Sequence, residues 1–130
     1  MLDTDTCVFV LRRSSDAILA RIQAVPVAQQ VVSAVTYAEL LYGVQLASKR
    51  KANQAAVDAL VRHVAILEWS QEAARHYAEI RADLKKKGSM IGANDLFIAA
   101  HARSLGAIVV TNNTSDFARV KGLRIENWLN

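Results

Sequence analysis

Residues 92–117 read GANDLFIAAHARSLGAIVVTNNTSDF, a helix pattern followed by a strand pattern, with an isolated acid near each end. From Ala93 to Leu105, apolar residues occupy most sides through Leu96, Phe97, Ile98, Ala99 and Ala100. That is the pattern of a helix buried against a sheet or a second subunit. The β-rich run Ala107–Thr111 follows, and beyond it a loop carries Asp116. Comparable runs at Val31–Ser33, Val64–Trp69 and Leu123–Asn127 alternate with longer helical patterns, and Met1-Leu2-Asp3 supplies a first strand. Short strands alternating with helices predict an α/β fold, a central and mainly parallel sheet flanked by crossover helices.

The segment Gln71–Lys87 sets Ala73, Tyr77, Ile80 and Leu84 on one stripe, and Gly88 supplies its stop. Helices are predicted near Thr36–Leu46 and Ala52–His63, with Lys49–Asn53 as an exposed polar break and Pro26 marking the turn before the second strand. No internal repeat or Pro/Gly-rich linker divides the chain, so residues 1–130 read as one domain. At 130 residues, 52% hydrophobic and 22% charged, a chain of this size buries about 65–70% of its unfolded surface. The single cysteine, Cys7, sits beside Val8 and Phe9 and reads as a buried thiol in a reducing compartment. Met1-Leu2-Asp3 lacks the start of a signal peptide, and no apolar run approaches the roughly 20 residues of a membrane span. The expectation is a cytoplasmic protein with no membrane partner.

The net charge is +4, with basic residues clustered at Arg12-Arg13, Lys49-Arg50-Lys51 and Lys85-Lys86-Lys87. Such runs neutralise phosphates, and they equally suit helix ends. His63, His76 and His101 show no metal-ligand spacing and read as helix-surface or partly buried residues.

Four acids stand out because small, apolar or hydroxyl residues surround them: Asp3, Glu39, Asp95 and Asp116. Each has an ordinary structural role open to it. Glu39 follows Thr36 at capping-box spacing, Asp95 follows the candidate N-cap Asn94, Asp116 can cap a short turn, and Asp3 can end a strand. A shared site is the other reading. Ligands of open α/β sheets bind beyond the carboxyl ends of the strands, and all four acids fall at strand ends or helix starts. Two unit charges 4 Å apart repel by about 4 kcal/mol at an effective dielectric near 20, so converging carboxylates call for cations. Hard oxygen ligands select Mg²⁺ or Mn²⁺.

The strings LDTD, TYAELLYG, IGANDLFIAAHA, VVTNNTSDFARVKGL and IENW, in this order along the whole chain, resemble the PIN-domain ribonucleases, most closely the VapC toxins of bacterial toxin–antitoxin pairs. The resemblance implies a Mg²⁺- or Mn²⁺-dependent endoribonuclease with Asp3, Glu39, Asp95 and Asp116 as catalytic metal ligands. Thr111 would support them. It also implies a VapB-type antitoxin partner, operator DNA reached only through that antitoxin, a homodimer, and a higher assembly of toxin with antitoxin. The NNTxxF and ENW signatures resemble those of toxins that cut initiator tRNA in its anticodon stem-loop. This chain departs from the family where Asp5 replaces a common asparagine, and where Asn113 stands at a position that carries the fourth acid in other branches. Either Asp116 or Asn113 completes the set, and Asp5 either supports it or caps the first helix.

Two other readings compete. Asp3-Thr4-Asp5-Thr6 matches the DxDxT string of haloacid-dehalogenase-type phosphatases, with Asp3 as nucleophile and Asp5 as general acid. A non-catalytic, partner-binding domain that uses its acids only as caps is the other.

Overall fold

The computed structural model describes residues 1–129. Helices α1 (Thr4–Arg12) and α2 (Asp16–Ala24) lead through a 3-10 turn, Val27–Gln29, into strand β1 (Val31–Ser33). Next come α3 (Ala34–Leu46), α4 (Arg50–Val61), β2 (Ala65–Leu67), α5 (Gln71–Lys87), α6 (Ala93–Leu105), β3 (Ile108–Val110), α7 (Thr114–Phe117) and β4 (Arg124–Glu126). β1 pairs with β2, and β3 with β4, both in parallel.

Met1–Asp3 is not a full strand but the seam between these two pairs. The Leu2 N–H donates to the Val31 carbonyl at 2.9 Å, while Asp3 N–H donates to Val110 O at 3.0 Å and Val110 N–H to Met1 O at 2.8 Å. The bridge to Val110 is parallel as well. The layer therefore runs β2, β1, Leu2, β3, β4, and all strand ends point the same way.

The sheet's two faces collect separate cores. Met1 and Val109 pack with Ile80, Leu84, Ile98 and Phe117 under α5 and α6. Their neighbours Leu2 and Val110 turn to the other face and join Cys7, Ile18, Val32, Leu40, Val57 and Trp128 under α1 to α4. This is the period of two expected of strands buried on both sides. No described helix is long and apolar enough to cross a membrane.

α5 and α6 have the predicted bounds. Ser70 caps α5 by accepting from Ala73 N–H, and Gly88 ends it with φ 64°, a left-handed conformation that costs glycine little. Lys85, Lys86 and Lys87 fill its last turn, where they answer the helix dipole. Elsewhere the structure corrects the sequence. The break after α3 spans residues 47–49, and α4 has already begun at Arg50, so Lys49–Asn53 is mostly helix; the Asn53 side chain donates back to the Lys49 carbonyl. Ser33 caps α3 through Val35 N–H, which displaces the Thr36–Glu39 capping box. Gly92, with no side-chain bond, precedes α6 in place of Asn94.

His101 is fully buried, deeper than the helix-surface or partly buried position expected of it. Burial lowers its pKa, and the ring bonds to the Glu68 backbone through one nitrogen. Its Nδ1 shares a 2.8 Å hydrogen bond with the Ser33 hydroxyl, which makes the ring a strut from α6 to the end of β1. Ser33→Ala would orphan both the ring nitrogen and the Val35 N–H. It is expected to cost about 1–3 kcal/mol of unfolding free energy, read as a lower urea midpoint at unchanged m-value; an unchanged midpoint would show the strut to be idle.

Candidate active site

The four acids gather at the carboxyl edge of the sheet, each delivered by a different element. Asp3 leaves the seam and caps α1, its Oδ1 accepting from Thr6 N–H at 2.8 Å. Glu39 lies in the second turn of α3, Asp95 in the first turn of α6, and Asp116 inside α7 instead of capping a turn. Asp5, in the first turn of α1, does not cap it; Asp3 does. Thr4, Asp5, Glu39 and residues Gly92–Asp95 line one open depression of about 380 Å³.

Neutral donors hold these carboxylates. The Thr4 hydroxyl donates to Glu39 Oε1 at 2.6 Å, with Thr36 Oγ1 3.3 Å away. Asn113 uses its side-chain amide twice, donating to Asp95 Oδ2 at 3.1 Å and to Asp116 Oδ2 at 3.0 Å. Thr111 Oγ1 accepts the Asn113 N–H at 2.8 Å and hydrogen-bonds Asp3. Asn113 and Asp116 are therefore joint members of one cluster. Asp116 also meets Arg119 at 3.7 Å. By contrast, Asp3, Glu39 and Asp95 form no ion pair among the described residues. Thr4 and Ser33 escaped the sequence reading. The hydroxyls that follow Asp3 in LDTD and precede α3 were the available signal.

The electrostatics agree with crowding. Asp3 is buried, and its pKa is raised by desolvation against the opposing bonds from Thr111 and Thr6. Asp95 is raised to about 6, first by burial and then by the charges of Asp3, Asp5 and Glu39, with the Asn113 bond working the other way. Among the described residues no three acid, histidine or cysteine side chains close into a ready metal cage. Asp5, the general acid that a phosphatase reading requires, is exposed.

A pH prediction follows from Asp95. Because its folded pKa lies above the unfolded value, its ionisation destabilises the fold. Stability is fully present below about pH 4 and is lost as pH rises through 6. In EDTA, Asp95→Asn is expected to melt higher than the parent at pH 7.5, with the gap narrowing as pH falls to 5. Lost attraction to the α6 dipole, about 0.3–1 kcal/mol, opposes this without reversing it. A variant that melts lower at both pH values would make Asp95 a helix-start residue and nothing more.

The chain as a whole matches known proteins. The PIN domain family model matches residues 1–123. Ribonuclease VapC2 of Haemophilus influenzae is 40% identical over 129 residues, covering 99% of this chain and 97% of that protein. The tRNA(fMet)-specific endonuclease VapC of Salmonella typhimurium is 38% identical, covering 98% and 96%. In three dimensions, VapBC2 from Rickettsia felis bound to a DNA fragment from its promoter superimposes with a TM-score of 0.93 at 35% identity, over 98% of this chain and 97% of that one. Similarity of this extent, in sequence and in fold, makes the chain a member of the PIN-domain family in its VapC branch.

Proposed function

We propose that this chain, as a single PIN-like unit over residues 1–130, is the toxin of a VapBC-type pair, an endoribonuclease that cuts RNA with a divalent cation and so stops translation in the cytoplasm. One observation carries the reading. Asp3, Glu39 and Asp95 meet at the sheet edge with no ion-pair partner among the described residues, in a chain 38–40% identical to proteins named as nucleases.

The donor set fits Mg²⁺ or Mn²⁺, since every candidate ligand is a carboxylate and Asp95 is already strained by its acidic neighbours. Mg²⁺ keeps waters and substrate phosphates among its ligands, so a few carboxylates are enough to bind it. Asp3, Glu39, Asp95 and Asp116 would hold the ion. When bound, it would activate water and neutralise charge on the phosphate undergoing in-line attack. The chain's own part is orientation. Thr4 aims Glu39, Thr6 and Thr111 fix Asp3, and Asn113 keeps Asp95 and Asp116 together. No histidine is needed to move protons.

For substrate, the motif Asn112-Asn113-Thr114-Ser115-Asp116-Phe117 and the Salmonella relative's name favour initiator tRNA. For partners, the VapBC neighbours favour a VapB-type antitoxin that alone touches operator DNA. An antitoxin arginine could replace the cation among the acids. Tyr42 and Leu46, 65% and 69% exposed on α3, suit a groove for an antitoxin helix or a homodimer contact, whereas Tyr37 and Leu41 are partly buried and pack against the core.

Asp3→Asn, Glu39→Gln and Asp95→Asn are each expected to abolish growth arrest on induction and to lower the cleavage rate on the order of 100-fold or more. Asn113→Ala and Asp116→Asn should lose less. Full toxicity in the first three would end the assignment. Co-expression with the product of the adjoining upstream gene should give a complex lacking nuclease activity; cleavage at the free rate by a stable complex would refute the antitoxin role.

A further inference from the structure

The ribonuclease reading leaves a physical problem, for a polyanion must approach a cluster of carboxylates. Two arginines border that cluster. On the α1 side, Arg12 is exposed and has no acidic partner among the described residues. It lines one hollow with Asp5 and Asn112 and a second with Thr4 and Glu39. On the α7 side, Arg119 donates from Nη1 to the Met90 carbonyl at 3.2 Å, and its Nη2 stands 3.7 Å from Asp116 Oδ1. Asp116 leads through Asn113 to Asp95.

We propose that Arg12 and Arg119 are the phosphate-binding cations of the RNA path, flanking the acidic cleft from the α1 and α7 sides and gripping phosphates on either side of the one that is cut. The proposal rests on the ribonuclease reading and adds the residues that hold the strand. Guanidinium suits this task because it stays charged and presents a planar fork to phosphate oxygens. Arg119 is tethered yet open: one of its nitrogens is fixed by Met90, while 42% of its side chain remains exposed. The long Asp116 contact is weak enough for a phosphate to compete with it. Arg12, exposed at the end of α1, borders both hollows. Arg12 sits in the last turn of α1 as the lysines do in α5, and its place beside Asp5, Thr4 and Glu39 is what sets it apart.

The test measures steady-state cleavage of a single-stranded RNA with Mg²⁺ at several salt concentrations. The proteins are the parent, Arg12→Ala, Arg119→Ala, both Arg→Lys versions, and Arg124→Ala as a control from the start of β4. Any alanine variant that melts low is replaced by its Gln counterpart. Each alanine variant is expected to raise KM roughly three- to tenfold and to flatten the log KM against log salt slope by about 0.7, the value of one single-strand phosphate contact. The lysine versions keep most of the slope, and Arg124→Ala keeps all of it. If the parent cleaves RNA but the slopes of Arg12→Ala and Arg119→Ala match it, the proposal is overturned and the ribonuclease reading survives. The proposal falls in the same way if Arg124→Ala loses as much, if Arg119→Ala lowers only kcat as a mere prop for Asp116 would, or if Arg12→Ala weakens antitoxin binding alone. A parent that does not cleave RNA removes the reading itself, and the proposal with it.

Discussion

Three residues at the start of the chain hold the sheet together. Without the hydrogen bonds of Met1–Asp3 to Val31 and Val110, the β1–β2 and β3–β4 pairs would be separate two-stranded ribbons, too small to be stable alone. The same bonds deliver chemistry. Met1 and Leu2 enter opposite cores, as successive residues of a strand must; the chain then turns into α1, and its N-cap Asp3 is left at the carboxyl edge. Asp3 is therefore buried at 1% exposure yet aimed at the site. Its position cannot be adjusted without disturbing both layers.

Around that fixed point the molecule solves an electrostatic problem with neutral groups. Lysine or arginine beside Asp3, Glu39 and Asp95 would stabilise the fold, but would also satisfy the charge that a metal ion must meet. Hydroxyls and one amide take their place: Thr4 on Glu39, Thr6 and Thr111 around Asp3, and Asn113 between Asp95 and Asp116. These donors set direction without cancelling charge. The residual strain appears in Asp95, half-buried and held at a pKa of about 6. A perturbed group in a cleft, with identified perturbers, is the usual mark of a functional position.

Much of this was legible from residues alone, and the exceptions have physical causes. α5 and α6 could be bounded because each keeps an unbroken helical period and meets a glycine at φ 64° or 63°. α1 was anticipated only as a first helix that Asp5 could cap, without bounds, and α2 went unread. Val8, Phe9 and Val10 favour strands when taken locally, and only Asp3 and Ser15, accepting from Thr6 and Ile18, initiate these helices. The acids were legible as a set because their positions obey the sheet-edge rule. Their individual roles were not, since capping depends on which oxygen faces which N–H. Glu39 had the spacing of a capping box, yet Ser33 stood closer to the helix start and Thr4, distant in sequence, claimed the carboxylate. His101 illustrates the same limit. Nothing near it in sequence announces Ser33, its partner across 68 positions.

The seam also governs the order in which the molecule can acquire its chemistry during synthesis. Asp3 is made more than 100 residues before the backbone that locks it in place, at Val110, and the amide that ties Asp95 to Asp116, on Asn113. Contacts of such long range form only after both ends are available, so a growing chain on the ribosome carries three separated carboxylates and no assembled centre. A nuclease able to attack the translation machinery would thus be inert towards it throughout most of its own production.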